Sequence, residues 1–358
     1  MDSGPAQLTL AVGTYTIAMP HVDGNGQGIV LLRFDTTTGR LSQVVARQAL
    51  NPSYLTISAD GRRLYAVREV DARNGPGVVT YALDARAGTL DLLDNKATSG
   101  GCPCFVSFDE STGLLLVANY ETGEVLSYRV DAHGVPCGDP VVLQRTGGGP
   151  RGHRQEGPHA HCAFVSPDRR HVYLADLGID CIVRHPIRDG QVDASSDEIL
   201  PAAPGAGPRH LAFTPSAAFL LANYELSSTV RLYRIDAYAT EFAAEVSTLP
   251  THWDGVSGAG GMRLHPSGRY VYVGNRGHDS IFGARIDECN GSLTPIGTWA
   301  LGGRTPRDLT VSPDGRFLLA ASQDDGFIRV FSIDEQSGAL AFTGHDFPIQ
   351  SAASLQFV

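Results

Sequence analysis

Apolar residues in this chain come in short runs, often alternating with polar ones, and the runs are separated by turns built from Asp, Gly, Pro and Ser. Six stretches share one template: NPSYLTISADGRRLYAVRE, PCFVSFDESTGLLLVANYE, PHAHCAFVSPDRRHVYLADLG, PRHLAFTPSAAFLLANYE, GGMRLHPSGRYVYVGNRG and TPRDLTVSPDGRFLLAASQD. Each opens on a small residue or proline, runs through a short apolar strand, turns at a polar segment often of the S-P-D-G kind, runs through a second apolar strand and ends in a polar cluster. In most, a third alternating strand closed by Asp follows, as in GVVTYALD, EVLSYRVD, TVRLYRID, SIFGARID and FIRVFSID. Alternation with period two predicts strands, and the Asp/Gly/Pro segments predict the turns between them. Long stretches of periodic Ala, Leu, Glu and Lys, which would build helices, are almost lacking.

The turns centre on Asp60, Asp109, Asp168, Ser216, Ser267 and Asp314, an interval of about fifty residues, which is the size of a propeller blade rather than of a helical repeat. Six blades are therefore explicit. Residues 8–35 hold the later strands of a seventh but lack its opening strand, whereas the C-terminal SAASLQFV resembles that missing strand. Pairing the two would close the ring and remove the free sheet edges. The expectation is an all-β, seven-bladed β-propeller over residues 1–358, a single domain whose ring is closed by its N- and C-terminal strands. Two β-sandwich domains would not explain one template running the length of the chain.

Composition narrows the function. A net charge of −10 argues against nucleic acid and membrane surfaces as partners, because both ordinarily need a basic patch. No apolar run is long enough to span a bilayer, and MDSGPAQLTLAVGTYT lacks a charged segment followed by a hydrophobic one, so a cytoplasmic location is expected. Six cysteines in 358 residues do not make a secreted disulfide scaffold. Cys102 and Cys104 are too close for an easy bridge, and no zinc-finger spacing follows.

Neighbouring strands of a blade run in opposite directions, so the residues leading into strand one and those following strand two share one end of the propeller. That end collects Asn51-Pro52, Pro103, His159 to His161, Pro208-Arg209-His210, Gly260-Gly261 and Thr305-Pro306-Arg307. It also collects Arg68-Glu69, Asn119-Tyr120-Glu121, Asp176, Asn223-Tyr224-Glu225, Asn275-Arg276 and Gln323-Asp324. The opposite end receives ordinary turn chemistry. Arg68, Arg209, Arg276, Arg304 and Arg307 suit an anion, because a guanidinium fork holds two oxygens at once. The segment RQEGPHAH brings Arg154, His159 and His161 to the same end.

These motifs carry a resemblance. RQEGPHAH, ADLGID, GPRHLAFTP, NYELSSTV, GNRGHDSI and GRTPRDLTVSPDGRFLLAASQD are similar, in the same order and over essentially the whole chain, to those of the lactonase family of seven-bladed propellers. That family includes propeller-type 6-phosphogluconolactonases and 3-carboxy-cis,cis-muconate lactonizing enzymes. The resemblance implies that His161, Glu225, Arg209 and Arg276 form a catalytic and binding group requiring no metal and no cofactor. Tyr65-Ala66-Val67-Arg68-Glu69 stands where the family commonly has Y-A-V-N-E, and Pro103-Cys104-Phe105-Val106 where it has P-C-H-V. Both departures lie at the ligand end and bear on the substrate more than on the fold.

The expected activity is hydrolysis of a sugar-acid lactone of the 6-phosphogluconolactone kind. A general base near neutrality is needed, for which His161 is favoured, because a carboxylate beside two arginines is a weaker base; Glu225 then positions or tunes it. Arg209 or Arg276 would meet the oxyanion. His159, Arg154, Arg68, Asn119, Asp176, His210, Arg304, Arg307 and Gln323 are the candidates for holding a small anionic lactone or carboxylate substrate, in a monomer or weak homo-oligomer. The alternatives are the reverse chemistry, cyclisation of a muconate-type diacid, and a non-catalytic scaffold, since propellers host many functions. A metal held by His159, His161 and Asp176 is a further alternative. Gly147-Gly148-Gly149 lacks the context of a phosphate loop, and no G-x-S-x-G elbow appears.

Overall fold

The computed structural model describes residues 7–236 and 239–358. The described residues form seven antiparallel sheets and one short 3-10 turn at Gly152–Arg154, the seven blades of a β-propeller. Residues 1–6, on which the expectation about a leader segment partly rests, lie outside the described residues. Among those described, no helix is long and apolar enough to cross a membrane.

Each blade follows the template read from the chain. In the second blade, Pro103–Asp109, Leu114–Asn119, Glu124–Val130 and Pro136–Gln144 lie side by side in sequence order. Leu114–Asn119 is buried along its whole length, whereas the outermost strand is mostly open to solvent. A middle strand of a blade is covered on both faces, so it reads as a continuous apolar run; the outermost strand reads as mixed. The third blade departs slightly: both Gln191–Val192 and Glu198–Pro201 pair with Cys181–Arg188.

The seventh blade joins the two ends of the chain in the order Ala352–Phe357, Gln7–Thr14, Ile29–Asp35, Leu41–Arg47. Leu10 pairs with Phe357 and Val12 with Leu355. Leu10, Val12, Val30, Leu32, Phe34 and Leu355 share one core cluster and are wholly buried.

Hairpin turns at the far end rest on side-chain acceptors. Ser58 Oγ donates to Asp60 Oδ1 at 2.6 Å, and the Arg62 amide donates to the same oxygen at 2.9 Å. The following residue takes a left-handed conformation. It is glycine at Gly61 (φ 69°) and Gly315 (φ 75°), but Arg169 (φ 60°) and Ala217 (φ 61°) in two other blades, where a Cβ makes that conformation costly.

The described chain packs as two compact units. One is built on residues up to Leu50 with Ala212–Asn223 and Ser228–Val358, the other on Asn51–Leu211 with Tyr224–Ser227.

The lead strands carry a feature that alternation does not predict. In the second blade, Pro103 pairs with Asn119 and Phe105 with Ala118, leaving Cys104 as an extra residue. In the third, Ala160 pairs with Asp176 and Cys162 with Ala175, leaving His161. These are β-bulges, which bend the strand and re-aim the extra side chain.

Candidate functional site

In the unit containing Asn51–Leu211, four segments bring charged and aromatic side chains together. The bulge in Ala160–Val165 aims His161. Arg209 follows the opening proline of Pro208–Phe213. Glu225 follows Phe219–Tyr224, its amide donating to the Gly207 carbonyl at 2.7 Å. Arg154 arrives on the 3-10 turn Gly152–Arg154.

Glu225 is the hub. Arg209 Nε donates to its Oε2 at 3.0 Å, with both side chains 4% exposed. Arg154 Nη2 donates to Oε1 and also, at 3.3 Å, to the Tyr120 hydroxyl. Burial disfavours the Arg154 charge, but the Glu225 carboxylate more than offsets it and raises the pKa of the guanidinium above its ordinary value. One carboxylate between two guanidinium groups leaves more positive than negative formal charge, which suits an anionic ligand.

His161 Nε2 lies 4.0 Å from Glu225 Oε2, and its Nδ1 lies 3.9 Å from the Cys104 sulfur. The thiol also faces the carbonyl oxygens of His161 at 3.6 Å and Ala160 at 3.8 Å. Its S–H hydrogen thus has carbonyl acceptors while a sulfur lone pair meets Nδ1. Nε2 is the ring nitrogen on the Glu225 side, and Nδ1 the one beside the thiol.

The remaining candidates in this unit take supporting places. His210 packs edge-on against Tyr54, Phe105 and His161, and Arg209 Nη1 lies 3.0 and 3.3 Å from its ring nitrogens. His159 stacks on Tyr120 with ring centroids 4.5 Å apart, and its Nδ1 is 2.8 Å from the Tyr120 carbonyl oxygen. Glu156, 3.5 Å from His159 Nε2, is held below the usual carboxylate range by its own backbone amide and by His159.

Asp176 accepts backbone hydrogen bonds from His159 at 2.7 Å, Gly178 at 3.0 Å and Ile179 at 3.3 Å. Burial nevertheless pushes its carboxyl up to about 6. With Asp176 committed to these amides and His159 to Tyr120, the combination of His159, His161 and Asp176 is not arranged as a metal site. Among the described residues no group of three or more His, Cys, Asp or Glu is. Asn119 Nδ2 donates within its own blade to Glu124 Oε1 at 3.0 Å. Arg68 runs outward along its blade to Asn95 Oδ1 at 2.9 Å, away from the Glu225 hub.

In the other unit, Arg276 donates to the carbonyls of Ala259 at 3.1 Å and Gly258 at 3.4 Å. Arg307 Nη2 donates to the Tyr15 hydroxyl at 2.7 Å and lies over its ring. Gln323 is buried and donates to Asp324 at 2.9 Å. Arg304 is bound through two nitrogens to Asp325 Oδ1, at 3.0 and 2.8 Å, on an exposed surface.

Two residues that the motifs did not assign to the site stand within it. Cys104 occupies the bulge position in its blade that His161 occupies in the next, so aligning the lead strands was the signal for it. Tyr120 follows the Asn of N-Y-E in its blade as Tyr224 does in NYELSS, one residue before the position of Glu225.

The sequence pattern of the family described as Lactonase, 7-bladed beta-propeller matches residues 9–357. A 6-phosphogluconolactonase of Bacillus subtilis is 33% identical over 332 residues, covering 92% of each chain. One of Formosa agariphila is 30% identical over 356 residues, covering 96% of this chain and 98% of its own. The solved structure of a periplasmic gluconolactonase from Pseudomonas aeruginosa superposes with a TM-score of 0.89 at 29% identity, covering 98% of this chain and 99% of that one.

Proposed function

Because the chain belongs to the lactonase family of seven-bladed β-propellers and is a lactone hydrolase, we propose that it opens 6-phosphogluconolactone by metal-independent acid–base chemistry at the Glu225 hub. The observation that carries this reading is one buried carboxylate held between Arg154 and Arg209 beside His161. His161 Nε2 takes a proton from water as the oxygen attacks the lactone carbonyl. Arg209, buried and already oriented by Glu225, meets the oxyanion of the tetrahedral intermediate. Arg154, with its side chain 36% exposed, receives the phosphate at the mouth of the group. Glu225 holds both arginines and lies near enough to His161 to favour the imidazolium that forms.

Two phosphogluconolactonase relatives support the phosphorylated substrate, and the Pseudomonas gluconolactonase supports the sugar-acid lactone core. A phosphorylated sugar acid is retained inside the cell by its charge, so a cytoplasmic location accompanies this reading. The test is hydrolysis of 6-phosphogluconolactone by the purified protein against the spontaneous rate. His161→Ala should lower kcat by about 10²- to 10⁴-fold, the usual contribution of a general base, and Arg209→Ala should remove most of the acceleration. Wild-type protein and both variants matching the blank would sink the assignment.

A further inference from the structure

We infer that Tyr120 is the proton donor to the ring oxygen that leaves when the lactone opens, a role that rests on the lactonase reading of the Glu225 hub. Opening the ring breaks a bond between the carbonyl carbon and an alkyl oxygen. An alkoxide is a poor leaving group, so a positioned acid is needed on that side. The group already contains a base, His161, but the hub carboxylate accepts from Arg154 and Arg209, and a carboxylate so engaged has no proton to give.

Tyr120 has the required geometry. Its ring is fixed by the stack on His159 and by an edge contact to His161 at 5.7 Å between centroids. Its hydroxyl accepts from the same Arg154 Nη2 that donates to Glu225 Oε1, so phenol and hub carboxylate flank one nitrogen. Among the described residues Arg154 is the hydroxyl's hydrogen-bond partner, and it is a donor. The phenolic hydrogen is therefore left to point at a ligand. The side chain is only half-buried, so a ligand can reach it. Burial pushes the phenol above its ordinary range, outweighing the opposing effect of Arg154, and Glu225 adds to the rise. It thus keeps its proton throughout the neutral range, available to an alkoxide formed against it.

The protons balance. His161 takes one from the attacking water, and hydroxide adds to the carbonyl carbon. As the intermediate collapses, the carbon–oxygen bond to the ring breaks and its electron pair goes to the ring oxygen, which takes the Tyr120 proton. The phenolate, held beside Arg154, regains a proton from the His161 imidazolium, and the new carboxylic acid loses its own to solvent.

The experiment is steady-state hydrolysis of 6-phosphogluconolactone by wild type, Tyr120→Phe and His161→Ala, with thermal unfolding of each. Phe keeps the ring stack on His159, so the melting temperature should stay near that of wild type. Tyr120→Phe should lower kcat by about 10²-fold or more, the effect typical of a positioned acid, while KM changes by less than about threefold, since an interaction made only in the transition state does not appear in KM. An unchanged kcat, or a loss confined to KM, with wild type active and His161→Ala dead, would overturn the role of Tyr120 and leave the lactonase reading standing. No acceleration by wild type would overturn both.

Discussion

At the scale of single residues, the site is made by a few side chains whose partners are far away in sequence. Arg154 and Glu225 are 71 positions apart, and Cys104 and His161 are 57 apart. Asp176 shows what burial does when it is only partly offset. Three backbone amides stabilise its charge, yet desolvation prevails and the carboxyl rises to about 6 from an ordinary 3.8. A raised carboxyl takes up its proton in the folded chain at a pH where the unfolded chain is still ionised. The charge therefore costs stability above pH 6, and the cost fades as the pH falls toward 4. Asp176→Asn keeps a side-chain oxygen for the amides and removes the charge. It should stabilise the protein at pH 7 by up to about 3 kcal/mol, with the difference from wild type vanishing near pH 4. Urea midpoints at the two pH values measure this, and a variant equally shifted at both would contradict it.

At the scale of elements, a lead strand can do two jobs: it supplies apolar residues to the core, and in the second and third blades a bulge re-aims one further side chain. The strand that closes the seventh blade illustrates the first. Leu355 is wholly buried against Leu10, Val12, Val30 and Leu32, so Leu355→Ala should cost about 2 to 5 kcal/mol, the range for a core leucine that leaves a cavity. The same change at Leu92, about half exposed on an outermost strand, should be nearly neutral. Equal denaturation midpoints for the two variants would show that the terminal strand does not carry its share of the core. The second job is visible at the bulges. Without the extra residue, strict alternation past His161 would shift by one, and every following side chain in the strand would change face.

Alternation shows which residues belong in strands, but not where an extra residue enters, so the bulges at Cys104 and His161 were invisible in the chain. The motifs singled out His161, Glu225, Arg209 and Arg276 as one group with Arg154 as a neighbour; the fold gathers His161, Arg209 and Arg154 around Glu225, while Arg276 donates to the Ala259 and Gly258 carbonyls in the other unit. The motifs also failed to tell Arg209 from Arg68. Both flank a lead or second strand, but one turns to a buried carboxylate and the other runs outward to Asn95, a choice made by long, flexible side chains after the backbone is in place.

At the scale of the whole molecule, a propeller of repeated blades is a scaffold that by itself does not name a function. The scaffold alternative gives way with family membership. The proposed mechanism predicts that a chelator leaves turnover unchanged: prolonged dialysis against EDTA should alter kcat and melting temperature by less than about twofold and 2 °C. Ligand loss of a bound structural metal would instead lower stability measurably. A rate that falls on chelation and returns with added divalent metal would contradict the side-chain mechanism.

Strands, turns, seven blades and closure through the two termini were written in the sequence itself, because they follow from short-range periodicity repeated at a constant interval. The apolar pattern of SAASLQFV matched the one opening strand that the seventh blade lacked, and the two ends do pair. The working arrangement of the site was decided only in three dimensions. Which arginines reach Glu225, which nitrogen of His161 faces the Cys104 thiol, and the placing of the Tyr120 hydroxyl beside Arg154 all depend on bulges and side-chain directions. Those are settled by packing among residues far apart in the chain, and no local pattern encodes them.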